Sequence, residues 1–264
     1  MEFITCDKDS NTPRGISLAD LTRSVLMSIY QEKNPDASET DIEKIRDEIE
    51  TLISETRQWF EKTMLPIKAS IKLAEKQYIS LGCLDENLAD EIMRTDNLDV
   101  LLSENIEIRK HIDTAIAELK KDDLMRPYAT LFLQTIAAYE SELYDLAILG
   151  FFAIIDGLLS DITKDRGSVK IKQRTEKAVN VDGFHVPKED AAINTAMQKA
   201  SLLMVSELLS ESKPFSGAEP ETLNRHWAMH GRTRTKKTKA DCEKLILFIY
   251  GLVSSTRDSI GEVN

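Results

Sequence analysis

Residues 224 to 239 read NRHWAMHGRTRTKKTK, and they carry the side-chain types best suited to chemistry on a phosphate. Arg225 stays protonated and can grip two phosphate oxygens at once with its planar fork. His226 and His230 belong to the residue type that takes and gives protons near neutral pH. Arg232, Arg234, Lys236, Lys237 and Lys239 follow directly, a basic track beside which a nucleic-acid backbone would lie. Cleaving RNA without a metal needs a base for the 2′-hydroxyl, charge stabilisation for the phosphorane and an acid for the leaving oxygen. The same residues also suit a plainer account: a helix end closed by Gly231, with basic side chains complementing its dipole.

Other chemistries fit less well. His226 and His230 are four apart and share a helix face, but a zinc-peptidase helix would carry glutamate after the first histidine, and Trp227 stands there. A two-histidine metal site would need carboxylates from elsewhere. No GxSxG elbow, GxxxxGK[ST] loop or dinucleotide fingerprint occurs. Cys6, Cys83 and Cys242 are far apart and in no metal-ligand spacing, which suits reduced thiols in a cytoplasmic protein. The reading calls for no cofactor.

Arg225 and His230, with four residues between them, resemble the R-x4-6-H signature of the HEPN superfamily, a nucleotide-binding helical domain shared by higher eukaryotes and prokaryotes. Asn224 to Gly231 looks like its NRHxxxHG variant, and ELYDLAILGFFAIIDGLLSDI is similar to the long apolar helix that precedes the motif. The resemblance covers roughly residues 122 to 264. It implies a helical bundle, usually a homodimer, and a metal-independent endoribonuclease of the kind found in toxin–antitoxin and phage-defence systems. RNA would be the substrate, and an antitoxin or regulatory protein a possible partner. Arg225 would hold the scissile phosphate and His230 would transfer a proton. Asn224 belongs to the matched variant, and His226 fills a place that is often polar. Positions five apart on a helix differ by about 140° in direction, so two facing copies would assemble one site better than one copy. The resemblance also implies that an acid on the apolar helix faces the motif, which points to Asp156. An acid among such residues is costly to bury unless paired; the other placement is a helix-end acid facing solvent beside Gly157. Two alternatives stay open: an inactive HEPN-like module binding a nucleotide, RNA or protein, and a helical scaffold without chemistry.

The elements that would position these residues are helices. Gly and Pro are scarce, at 10 and 7 of 264 residues, and apolar positions recur with helical rather than alternating period. The expected fold is all-α: a HEPN-like helical bundle over residues 121–264, with an N-terminal helical region of unknown role over 1–120, divided at KKDD. The net charge of −11 argues against a general nucleic-acid coat but not against a local basic site. MEFITCDKDSNTPRG is a polar leader without the apolar core of a signal peptide. LAILGFFAII is too short to span a bilayer and reads as a buried helix, so no membrane is expected.

In detail, Ser17 would cap a helix through ISLADLTRSVLMSIYQEK. Ser38 and Asp41 suggest a capping box opening a helix that reaches about Leu81, with Pro66 a kink or break. LDENLADEIMRT forms the next helix, Gly82 having ended the last. NLDVLLSENIEIRKHIDTAIAELKK forms one helix, with His111 at its surface. Two helices meet near Ser141–Tyr144. Residues 165 to 188, with His185, form a loop or flexible insert. AAINTAMQKASLLMVSELLS is a helix and SKPFSGAEP a loop. Pro220 and Glu221 suit the first turn of the motif helix. ADCEKLILFIYGLVSSTRDSI closes the chain.

Overall fold

The computed structural model describes residues 18–79, 84–164, 170–179, 190–210, 215 and 217–260, with only the backbone of 18, 190–195 and 257–260. Cys6, Cys83, Ser17, Gly82, His185 and the polar leader lie outside the described residues. The chain is all-α: every regular element among the described residues is a helix. It divides into two compact units, 1–63 and 64–264. The division falls inside a long helix, upstream of the boundary expected at KKDD.

In the first unit, α1 spans Leu18–Lys33 and α2 begins at Glu39. The capping box is present: Asp41 N donates to Ser38 Oγ and Ser38 N donates to Asp41 Oδ2, both at 3.2 Å. Arg23 joins α1 to α2 through Glu50, with Nη2 to Oε2 at 3.0 Å. Apolar burial is sparse. Ile49 is buried, whereas Leu21, Val25, Ile29, Leu52, Trp59 and Phe60 stay exposed.

Helix α2 continues to Glu75 without a break at Pro66. Its end is set by Gln77, whose φ of 65° is left-handed. Tyr78 N donates to Leu73 O and Gln77 N to Ala74 O, both at 2.9 Å, the paired bonds of a Schellman stop. The helix therefore ends before the expected Leu81.

The second unit is built around α11 (Lys239–Ile260) and α7 (Tyr144–Thr163), which pack on each other. Cys242, Leu245, Ile246, Phe248, Ile249 and Leu252 of α11, and Phe151, Phe152, Ile154, Ile155 and Leu159 of α7, are essentially fully buried. Each large side chain so buried contributes roughly 1.5–3 kcal/mol. Around this pair lie α5 (Ile106–Leu119), α6 (Ala129–Glu140), α8 (Ile171–Val179) and α9 (Asp190–Ser210). α3 (Glu86–Arg94) and α4 (Leu98–Glu104) precede α5, and a 3-10 turn, Arg126–Tyr128, leads into α6. Any Cβ at Gly150 or Gly157 would overlap Thr135 or Tyr128, so these glycines permit the close approach of α7 to the α6 segment.

Several local expectations are corrected. The segment 98–119 is two helices because Asn105 ends α4 and caps α5, accepting from Glu107 N and Ile108 N at 3.0 and 3.1 Å. His111 is half-buried, edge-on to Tyr250 at 5.7 Å. Burial lowers its pKa, against the pull of Glu118. Residues 171–179, expected in a loop, form α8, because Ile171, Thr175, Ala178 and Val179 share a buried face. Helix α7 is 20 residues, so by length and composition it could cross a membrane, although the short apolar run inside it could not. In this fold that run supplies the core.

Candidate active site

The motif helix is short. α10 spans only Arg225–Met229, so Pro220 and Glu221 lie ahead of it rather than in its first turn. Asn224 is its N-cap: the side-chain oxygen accepts from Trp227 N at 3.1 Å, and the residue is buried. That oxygen is committed to the backbone, so Asn224 shapes the start of the motif helix. The preceding residue is fixed from the end of α2. Gln77 Nε2 donates to Leu223 O at 2.7 Å, and Leu223 N donates to Gln77 Oε1 at 2.8 Å. At the other end, Arg232 N donates to Trp227 O and Gly231 N to Ala228 O. Gly231, at φ 62°, occupies the left-handed position of this second Schellman stop. His230 is the C-cap, so Arg225 and His230 sit at opposite ends of one turn-and-a-half of helix.

The Arg225 end is an electrostatic clamp. Arg225 Nε donates to Asp156 Oδ2 at 2.9 Å, and its Nη2 binds the same oxygen. Arg174 from α8 takes the other oxygen, Nη2 to Oδ1 at 2.7 Å, and also donates to Asp156 O at 3.1 Å and Ser160 Oγ at 3.0 Å. Asp156 thus faces the motif, and the solvent-facing placement does not hold. One carboxylate is shared by two guanidinium groups, so among the described residues these two arginines outnumber their acid partner. Arg174 is 8% exposed and Arg225 34%. The accessible arginine is therefore the one in the motif, held by charge-assisted bonds that fix its plane.

The His230 end is aromatic. His226 stacks flat on Phe215, with ring centroids 4.5 Å apart and planes 4° apart. His230 meets Phe215 edge-on at 5.6 Å and His226 at 4.7 Å. Trp227, buried beneath, contacts the Phe215 edge at 5.5 Å. The Arg232 guanidinium lies 5.1 Å from the Phe215 centroid. His230 and Arg232 are exposed, and His226 and Phe215 half-buried. The four-residue spacing that placed His226 and His230 on one helix face brings both imidazoles together within one chain.

The basic tract is partly folded down. Glu219 accepts from Arg234 N at 2.8 Å, Thr235 N at 3.1 Å and Thr235 Oγ1 at 2.7 Å, and pairs with Lys237 at 3.7 Å. Burial opposes the charge of Glu219, but these hydrogen bonds and Lys237 outweigh it and hold its carboxyl below the usual value. Lys239 pairs with Glu243 at 3.8 Å and lies over the Tyr139 ring. Arg232, Arg234 and Lys236 stay exposed. Of the expected five-residue track, Arg232, Arg234 and Lys236 are exposed and Lys239 stays accessible, whereas Lys237 is largely covered beside Glu219.

Sequence reasoning missed Arg174, Gln77, Phe215 and Glu219. A helical signal was present for Arg174, since Ile171, Arg174, Thr175 and Ala178 recur at one-face spacing. Phe215 stood alone in a polar stretch. Among the described residues, no three His, Cys, Asp or Glu side chains converge as metal ligands would.

No family model, curated protein or solved structure matches the chain. A functional reading therefore rests on this geometry and on the motif itself.

Proposed function

We propose that the protein is a metal-independent endoribonuclease of the HEPN type. One observation carries this reading: Arg225 is held by the Asp156–Arg174 clamp at one end of a five-residue helix whose other end presents His230 to solvent. Arg225 would take the scissile phosphate with the guanidinium edge that Asp156 leaves free, stabilising charge as the phosphorane forms. His230 would transfer a proton to or from the 2′-hydroxyl or the leaving 5′-oxygen. The exposed Arg232, Arg234 and Lys236 would guide the backbone. The reading includes a homodimer, in which two motifs face each other across a two-fold axis and the partner's copy supplies the second proton-transfer group. A role in toxin or phage-defence systems and the cytoplasm as its location belong to the same proposal.

The test is incubation of purified protein with total RNA in EDTA. Cleavage with 2′,3′-cyclic phosphate ends is expected, and His230→Ala should lower it by about 10²–10⁴-fold. Arg225→Ala protomers mixed with wild type should lower activity in proportion to the heterodimer formed. Activity lost in EDTA and restored by magnesium, or unchanged in His230→Ala, would overturn the mechanism.

A further inference from the structure

Phe215 lies outside the Arg/His motif, and no step of the proposed reaction uses it. Even so, its ring touches three rings of the motif helix and a guanidinium. Trp227 forms the buried floor of this cluster, whereas Phe215 and His226 keep part of their ring surface open to solvent. Half-open rings beside exposed cations are the makings of a nucleobase site: bases from unpaired strands stack on aromatic and guanidinium planes while basic groups follow the backbone. We propose that Phe215 and His226 form a stacking platform for an unpaired nucleobase, next to the phosphate taken by Arg225. The inference rests on the ribonuclease reading and adds a base-binding subsite to it.

Four observations set the division of labour. His226 directly follows Arg225 in the chain but points about 100° away around the helix, so a base extending the Phe215–His226 stack would belong to a nucleotide neighbouring the phosphate at Arg225. The His226 ring is committed face to face at 4.5 Å and 4°, which gives it the role of a plane. His230 lies edge-on to both rings and is exposed, so it keeps the proton-transfer role. The Arg232 guanidinium is placed at the platform by its backbone bond to Trp227, where it can cover a base or meet the next phosphate. His226 thereby moves from the reacting groups to the binding groups.

The experiment is equilibrium binding of the full chain to uncleavable probes. One probe set is 2′-O-methyl oligoadenylate and oligouridylate; the other is an abasic 2′-O-methyl oligomer of the same length. Base stacking contributes roughly 5- to 150-fold per base. Phe215→Leu should weaken the base-bearing probes within that range and leave the abasic probe unchanged. His226→Ala should do the same, while His226→Phe and Phe215→Trp, which keep a ring, should retain base-dependent affinity. Equal weakening on both probe sets, no weakening on either, or loss of base dependence in His226→Phe would overturn the platform. Should Phe215→Leu unfold, the two ring-retaining variants and His226→Ala decide the matter. Failure of the platform shows as base-independent binding in a protein that still cleaves RNA. Failure of the ribonuclease reading shows as intact RNA in the wild-type incubation.

Discussion

The two ends of the motif helix are built on different physics. At Arg225 the environment is ionic and directional, with a buried second arginine and a carboxylate supplied from the core helix α7. At His230 it is aromatic and open, with ring edges and faces in place of charge pairs. The first arrangement fixes a guanidinium that must not move. The second leaves surface for a ligand to join. A group that stabilises charge gains from a rigid, partly dry setting, because it then needs no reorganisation during the reaction. A group that exchanges protons and meets bases needs access. The difference teaches that the arginine end is tied into the fold, whereas the histidine end is bound to it more loosely; under the proposed function, substitutions at the histidine end would change activity with little effect on fold.

The sharpest way to break this comparison is Asp156→Ala. It leaves Arg174, 8% exposed, without its carboxylate, and removal of one partner from a buried pair costs about 3–5 kcal/mol. Urea unfolding should show a loss of that order, whereas His230→Ala should unfold like wild type. Equal stability of the two variants would remove the distinction. A smaller effect concerns the basic tract. Neutralising exposed Lys236 should reduce the log–log salt slope of RNA binding by about 0.7, one phosphate contact on a single strand. Neutralising Lys237, engaged with Glu219, should change it less. Equal reductions from the wild-type slope would show that both lysines reach the substrate.

The smallest effect is pH-linked and tests the loop beyond the histidine end. The Glu219 carboxyl is held below its unfolded value. It therefore contributes stability that is present above that value and is lost as pH falls through the lower, folded one. Glu219→Gln should flatten the acid limb of the stability curve and leave the neutral region little changed beyond a small constant offset. An unchanged acid limb would show that the carboxylate does not hold the loop through its charge.

Much of the fold was legible because it depends on local signals. The Ser38–Asp41 box, the turn between α6 and α7, and the closing role of Gly231 all follow from residues within a few positions of each other. The clamp was less legible because its parts are distant: Arg225 is 69 residues from Asp156, and Arg174 comes from a segment whose charged residues hid its helical face. The pairing of Asp156 with Arg225 came from resemblance, since no spacing rule predicts it. Phe215 was invisible for a related reason. A single aromatic in a polar stretch has no periodicity, and only three-dimensional proximity reveals its neighbours. Asn105 hid a helix boundary by serving two caps at once, and Pro66 announced a break that α2 does not make.

Gln77 has a mechanical consequence. It stands in a left-handed conformation that costs a non-glycine residue roughly 1–2 kcal/mol, and its buried amide holds both backbone atoms of Leu223. Leu223 adjoins Asn224, the residue on which α10 is hung. The end of α2, which lies in the second compact unit, is therefore tied to the mounting of a five-residue helix by two hydrogen bonds from one side chain. A substitution that reshapes the turn at Gln77 therefore acts on the footing of α10 without altering any residue of the motif.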